Sequence, residues 1–339
     1  VLLSLVFITG IIFQTISGYY DFELGLYFYE LIVLNLIYYL IWAMLAFLVQ
    51  TLITNPYVGL FVMIVMFIGI PLTNLAGIEQ SMFKYSQGPG FSYSDMNGYG
   101  ATVNRYFFYK IYWLCLAIVF YIMTALLYYR GLPSNFNERI STLKSRFNLK
   151  YAFSLSLFTI LFLSMGSYIY YTNNILNKRT SNKQFEIQTA EWEKKYKKYE
   201  KYNQPRIIAV NVDVDLYPET RDIKARGEYL MINKSLEIID SIFLDHNSAP
   251  STFTFDREND LVLEDTLYNF DIYKLDKPLY PGDSIKLNFT VQNKKNTLLR
   301  NNSRIISNGT FINNSYFPSL GYSGGELTDD KTREKYDLP

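Results

Sequence analysis

The chain carries one histidine, His246, and one cysteine, Cys115, and these two residues bound the chemistry available to it. Neither a His-Glu-x-x-His zinc site nor a triad of histidines can be assembled from a single imidazole. A Ser-His-Asp arrangement would have to use His246, which lies in a polar Asp-His-Asn-Ser stretch before Pro250. It is expected to be a surface loop histidine, with no Gly-x-Ser-x-Gly elbow to present a serine to it. Cys115 lies in an apolar run, so intrachain disulfides and thiolate metal clusters are excluded. A phosphate-cradling Gly-x-x-x-x-Gly-Lys-Ser/Thr loop is not found, so any ATP would be bound by another chain.

The segment Tyr93-Ser-Asp-Met-Asn-Gly-Tyr-Gly100 comes nearest to a metal loop. Asp95 and Asn97 stand where the first and third ligands of a calcium loop would be, with Gly98 and Gly100 supplying turns. Tyr99 and Tyr106 occupy the fifth and twelfth positions, where oxygen ligands are needed, so the segment reads as a glycine-rich turn. Asn-x-Ser/Thr triplets at Asn288, Asn301, Asn308 and Asn313 fall in an asparagine-rich region and establish no glycosylation.

What must position these residues is a chain of two unlike halves. Hydrophobic residues make up 49% of its 339 residues. Mean hydropathy is nevertheless near zero, because most charges fall after residue 172. The formal net charge is +1, with no basic patch mixed with aromatics, so nucleic acid is not an expected partner.

A bilayer core about 30 Å thick needs roughly 20 apolar helical residues. The runs 31–53, 56–76, 107–129 and 151–172 meet that length, and 1–16 reads as the remainder of a fifth, truncated helix. The loop from Arg130 to Lys150 carries Arg130, Arg139, Lys144, Arg146 and Lys150 against Glu138, which predicts a cytoplasmic location. Loops 18–30 and 77–106, and everything after Thr172, then face the other side. Tyr and Trp near the span ends read as an interfacial belt. Among the polar residues within the spans, Lys110 is expected to snorkel to the interface, and no carboxylate stands near mid-membrane, which argues against a proton-coupled carrier.

Beyond residue 172, Phe185, Thr189, Trp192, Tyr196 and Tyr199 recur at spacings of four and three along one helix face, expected as a solvated stalk over 173–204. Period-two alternation follows in Ile208, Val210, Val212, Val214 and Leu216, then in Ile223, Ala225, Gly227, Tyr229 and Met231, and later in Ile285, Leu287, Phe289 and Val291. Pro281-Gly282 has type II turn chemistry. The predicted fold class is an α-helical transmembrane bundle over 1–172, the stalk, and an all-β antiparallel sandwich domain over 205–339.

The runs Ser17–Tyr27 and Tyr93–Gly98, Asn308-Gly-Thr-Phe311 with Asn314-Ser-Tyr-Phe-Pro-Ser-Leu-Gly-Tyr322, and Thr332-Arg-Glu-Lys-Tyr336 resemble bacterial fusions of an ABC-2-type permease region with an M1-family, gluzincin-type aminopeptidase. The resemblance implies a multi-pass protein of the bacterial inner membrane with a periplasmic C-terminal domain, a separate ATPase subunit, and the non-catalytic sandwich that precedes a zinc-binding domain. Zinc and the peptide substrate would belong to that further domain, so the chain reads as a fragment with no catalytic or metal residues of its own. The resemblance points to Asn308, Phe311, Asn314 and Phe317 as substrate-side or interdomain contacts, and to Asp95, Asn97 and Gly98 as a loop over the outer membrane face. The alternative reading is a membrane-anchored, extracytoplasmic binding or sensor module.

Overall fold

The computed structural model describes residues 2–100, 102–128, 136–177, 179–246, 251–293, 305, 310, 312–322 and 324–339, with the side chains of 136–139 outside the description. Two compact units divide it. One comprises Val1–Ser92 with Ala101–Lys178, the other Tyr93–Gly100 with Arg179–Pro339.

The first unit is helical. Three of its helices are long and apolar enough to cross a membrane: Leu24–Leu52, Thr102–Leu127 and Leu149–Leu176. Leu2–Ile16 and Pro56–Leu72 are apolar but shorter. Asn55 caps the latter through its Oδ1, which accepts from the Tyr57 and Val58 N–H groups, and Pro56 stands at the first helical position, where a missing N–H costs nothing. Only 6% of the most apolar window of Leu149–Leu176 is buried, so its Leu, Ile and Phe side chains need a nonpolar surrounding that the described residues do not supply.

The Leu24–Leu52 helix starts seven residues before the expected run and contains a π segment, Tyr29–Leu34. A second π segment, Tyr171–Leu176, closes the last long helix. In the basic loop, residues Phe136–Arg146 form a helix. Arg146 Nη1 donates to the carbonyls of Ala125 (3.2 Å) and Tyr128, placing a cation at the C-terminal end of Thr102–Leu127, where unpaired carbonyls and the helix dipole favour one.

The second unit contains two antiparallel four-stranded sheets. Its strands are β1 (Arg206–Tyr217), β2 (Asp222–Ile232), β3 (Ile239–Asp245), β4 (Ser251–Phe255), β5 (Asn259–Asp265), β6 (Phe270–Leu279), β7 (Ser284–Asn293) and β8 (Ser319–Leu320). The orders are β1-β2-β7-β4 and β5-β6-β3-β8. Pro281-Gly282 forms the predicted turn. The Asp283 N–H donates to the Tyr280 carbonyl over 2.9 Å, and Gly282 takes φ +87°, which a type II turn requires at that position.

Alternation decides which faces are buried. Tyr229 and Met231 of β2 and Ile285, Leu287, Phe289 and Val291 of β7 share one core with Ile239, Ile242 and Leu244 of β3 and Leu275 and Leu279 of β6. Gly227 lies opposite Phe289, whose ring fills the space a side chain would need. The expectation for β1 is corrected. It is a strand, but Ile208, Val210, Val214 and Leu216 are exposed, because β1 is an edge strand and Val212 is the residue of that row that packs on the core.

The aromatic helix differs from the expected stalk. Over Asn182–Tyr196 it packs Trp192 and Tyr196 on Phe243, Phe270 and Ile272, the outer face of the second sheet, with Trp192 stacked on Tyr322 at 5.6 Å. Phe185, at the same spacing, remains exposed. Periodicity identifies an apolar face but not what covers it, and here the same chain covers most of it. A short C-terminal helix, Asp330–Lys335, pairs with an adjacent face of the aromatic helix through Glu186 and Glu193. Arg333 makes a two-pronged pair with Glu193 (2.7 and 3.1 Å), and Lys335 meets Glu186 at 2.8 Å. Burial alone pushes the Glu193 carboxyl up, but hydrogen bonds from Arg333 and Lys197 outweigh it and hold the group below its ordinary range.

Candidate functional site

The polar residues buried in the helical unit converge on one segment. After Pro56–Leu72 the chain runs without α-helix as far as Gly100, with one 3-10 turn at Ser81–Phe83, and residues 82–87 fold against the long helices, with Met82, Lys84, Tyr85 and Ser86 buried. Irregular backbone carries N–H and C=O groups that need partners wherever water is excluded. The Thr102–Leu127 helix supplies them. Tyr106, Tyr109, Lys110 and Trp113 fall at helical spacings of three, one and three residues, which place them on one face.

Lys110 Nζ donates to the Ser86 carbonyl over 2.6 Å, Trp113 Nε1 to the Gln87 carbonyl over 2.7 Å, and Tyr112 Oη to the Met82 carbonyl over 3.1 Å. In return, Tyr85 Oη donates to the Ile41 carbonyl over 2.8 Å. Trp113 lies about 16 Å along its helix from Thr102, so the segment reaches well into the helical unit. Rings interlock around it, with Tyr85 5.5 Å from Trp42 and 5.4 Å from Trp113.

Lys110 is 4% exposed, which corrects the expectation that its ammonium snorkels to an interface. The ammonium sits 4.6 Å from the Tyr38 ring centre and 5.1 Å from that of Tyr106. No ion pair to it occurs among the described residues, so one carbonyl and two π faces replace its water. Tyr106 is fixed in turn by a 2.6 Å hydrogen bond from its hydroxyl to the Leu34 carbonyl, at the end of the first π segment. A π segment displaces the regular bonding pattern and leaves carbonyls for such donors. Lys84 Nζ, a second buried ammonium, donates to Asn74 Oδ1. At the other π segment, Asn173 Nδ2 donates to Tyr109 Oη over 2.9 Å, and Asn174 exchanges two hydrogen bonds with Gln80. The arrangement positions a cation and clamps an irregular segment. The nucleophile, base and leaving-group geometry of a reaction are not assembled in it.

The sequence-derived candidates are dispersed. Asp95, Asn97 and Gly98 form a tight turn in which the Ser94 N–H donates to the Gly98 carbonyl (2.9 Å) and the Asn97 N–H to the Ser94 carbonyl (3.1 Å). Asn314 opens a single 3-10 turn capped by Asn313, and Phe317 packs on the core 6.1 Å from Phe289. Asn308 and Phe311 lie outside the described residues. His246 is partly buried. Its Nε2 lies 3.3 Å from Asp271 Oδ2, its ring 5.1 Å from Phe253, and its side chain is 17% exposed. The expectation of no serine elbow needs a correction too: Gly321-Tyr-Ser-Gly-Gly325 matches Gly-x-Ser-x-Gly. It follows the two-residue β8 and no described helix begins before Asp330, so the strand-to-helix context of a nucleophile elbow is not met, and Ser323 lies outside the described residues. No group of three or more metal-ligating side chains is found among the described residues.

The lysine cluster had a sequence signal, the Tyr-x-x-Tyr-Lys-x-x-Trp spacing of residues 106–113, although Tyr and Trp in an apolar run read equally well as interfacial residues. No protein-family model matches the chain, and no curated protein matches it significantly.

Proposed function

We propose that this chain is a multi-pass segment of a bacterial inner membrane, its helices forming a permease-like bundle. The second unit is then a non-catalytic periplasmic β-sandwich of the kind that precedes the zinc domain of an M1-like aminopeptidase. The observation that carries the membrane half is the outward apolar surface of Leu149–Leu176, which a soluble chain would have to cover. Three long apolar helices and an irregular segment folded among them support it, since non-helical backbone is tolerated at membrane depth where protein buries it. Two antiparallel sheets around one core support the sandwich. The permease and peptidase assignments rest on the sequence resemblance. Zinc and the peptide substrate belong, in this reading, to a further domain.

The second reading, a membrane-anchored binding or sensor module, is favoured by the packing around Lys110, where the Ser86 carbonyl and the Tyr38 and Tyr106 rings hold the ammonium and leave the residue 4% exposed. Isolation of the tagged protein from native membranes after cross-linking separates the two. The permease reading predicts recovery of an ATPase subunit with a Walker loop. Its consistent absence from the cross-linked material would overturn that reading and leave the module.

A further inference from the structure

Three of the four sheet edges are short or interrupted: β4 has 5 residues, β8 has 2, and β5 is broken by a register shift between Leu261 and Leu263. The fourth is β1, 12 residues long, paired along one side to β2, with no strand among the described residues on its other edge. Folded proteins protect such edges with lysine, proline or bulges, because unpaired N–H and C=O groups template pairing with another chain. Between residues 207 and 217 β1 has no lysine and no proline, and its one irregularity lies at the start, between Ile207 and Ala209.

On the face it shares with the core, β1 presents Val210, Val214 and Leu216, with Val210 60% exposed, and Ile208 stands exposed at the irregularity. The opposite face carries Ala209, Asn211, Asp213 and Asp215. Directly opposed residues of an antiparallel pair share a face, so a strand can pair with its own copy only in registers that match parity. Centred on Val212, the apolar row meets itself, with Val212 against Val212 and Val210 against Val214, while on the other face Asn211 meets Asp213 and Ala209 meets Asp215. Centring on Asp213 would set that carboxylate against itself, and centring on Asn211 would set Arg206 against Leu216.

We propose that β1 is a homotypic interface, in which two copies of this chain pair β1 to β1 antiparallel about Val212. Two four-stranded sheets then become one continuous sheet, and the exposed apolar rows of both copies cover each other. The strand supplies its own complement in apolar pattern, which a foreign extended peptide would have to reproduce.

The test uses the full chain in detergent, with Cys115 replaced by alanine. A cysteine at Val212 faces its own copy across the two-fold axis, within the roughly 4.4–6.8 Å Cα spacing that a disulfide tolerates. Mild oxidation of Val212→Cys is expected to give a covalent dimer, while Thr252→Cys on the opposite edge stays monomeric. Val212→Asp brings two carboxylates together and is expected to lower the dimer fraction by about tenfold or more in light scattering. Three results overturn the proposal. In one, Val212→Cys remains monomeric with a reactive thiol, showing an open but unpaired edge. In another it is monomeric and unreactive, showing that some other polypeptide covers the edge. In the third, a dimer survives Val212→Asp undiminished, showing that a different surface holds it. Should Val212→Asp fail to fold, the Cys comparison still decides.

Discussion

Replacing Gly227 with alanine tests the core of the β unit at its tightest point. A Cβ at this position would stand 2.2 Å from Phe289 Cζ and 2.7 Å from Cε1 and Cε2. Phe289 has little room to retreat, being buried with Tyr229 at 4.7 Å and Phe317 at 6.1 Å. Two effects oppose one another. Alanine relieves the entropic disadvantage of glycine in a strand, worth about 0.5–1 kcal/mol. Overpacking a filled core costs about 1–3 kcal/mol. The clash wins, leaving a net loss of about 1–2 kcal/mol, or roughly a 5–30-fold rise in the unfolded fraction of this unit. Urea titration of the full chain in detergent, read by proteolysis of the second unit, measures it. Phe289→Leu shortens the ring and should restore much of the loss when combined with Gly227→Ala, a coupling of about 1 kcal/mol in a double-mutant cycle. An alanine variant as stable as the parent, or additive losses in the double variant, would refute this packing argument.

Other outcomes follow from the same reasoning. Trp192→Ala should destabilise the β unit by about 3–5 kcal/mol because the helix is docked, whereas a free stalk would lose within about 0.5 kcal/mol; chemical denaturation tells the two apart. Lys110→Met keeps the stem but strands the Ser86 carbonyl, a loss of about 1.5–3 kcal/mol. Buried Cys115 reports it, because a fluorogenic thiol reagent should react at a lower temperature than in the parent; an unchanged or raised temperature would show that the ammonium contributes no stability. The Glu193 carboxyl, depressed in the folded chain by Arg333 and Lys197 despite burial, stabilises fully above the ordinary carboxylate pKa of about 4.3. That contribution disappears as pH falls from there through the lower folded value. Urea midpoints taken from neutral to acid pH should therefore fall less steeply in Glu193→Gln than in the parent.

Much of the architecture is legible in the sequence because it rests on local periodicity. The rows 223–231 and 285–291 alternate, and the structure buries those faces; Pro281-Gly282 specifies its turn by backbone chemistry alone. What escapes is whatever depends on which surface covers which. Ile208–Leu216 alternates as cleanly as the buried rows, yet it forms an edge, and strand order is not written in alternation. The aromatic row of 185–199 looks the same for a free helix as for one docked on a sheet. Lys110 illustrates the limit most sharply. Its distance from the helix end permits snorkelling, and the segment that holds it inward, Met82–Gln87, has neither period nor motif. The π segments at Tyr29–Leu34 and Tyr171–Leu176, which hydrogen-bond to Tyr106 and Tyr109, carry no sequence signature that periodicity detects.

The proposed topology puts lipid around the helices, with the basic Arg130–Lys150 loop and the β unit on opposite sides of it. Single cysteines at Ser141 and Ser251, in a Cys115→Ala background, exposed on intact cells to a membrane-impermeant thiol reagent, probe this directly. Labelling at Ser251 alone, with Ser141 reacting once the membrane is permeabilised, is the predicted result. Equal labelling of both positions on sealed cells, or recovery of the chain from the cytosol without detergent, would contradict it.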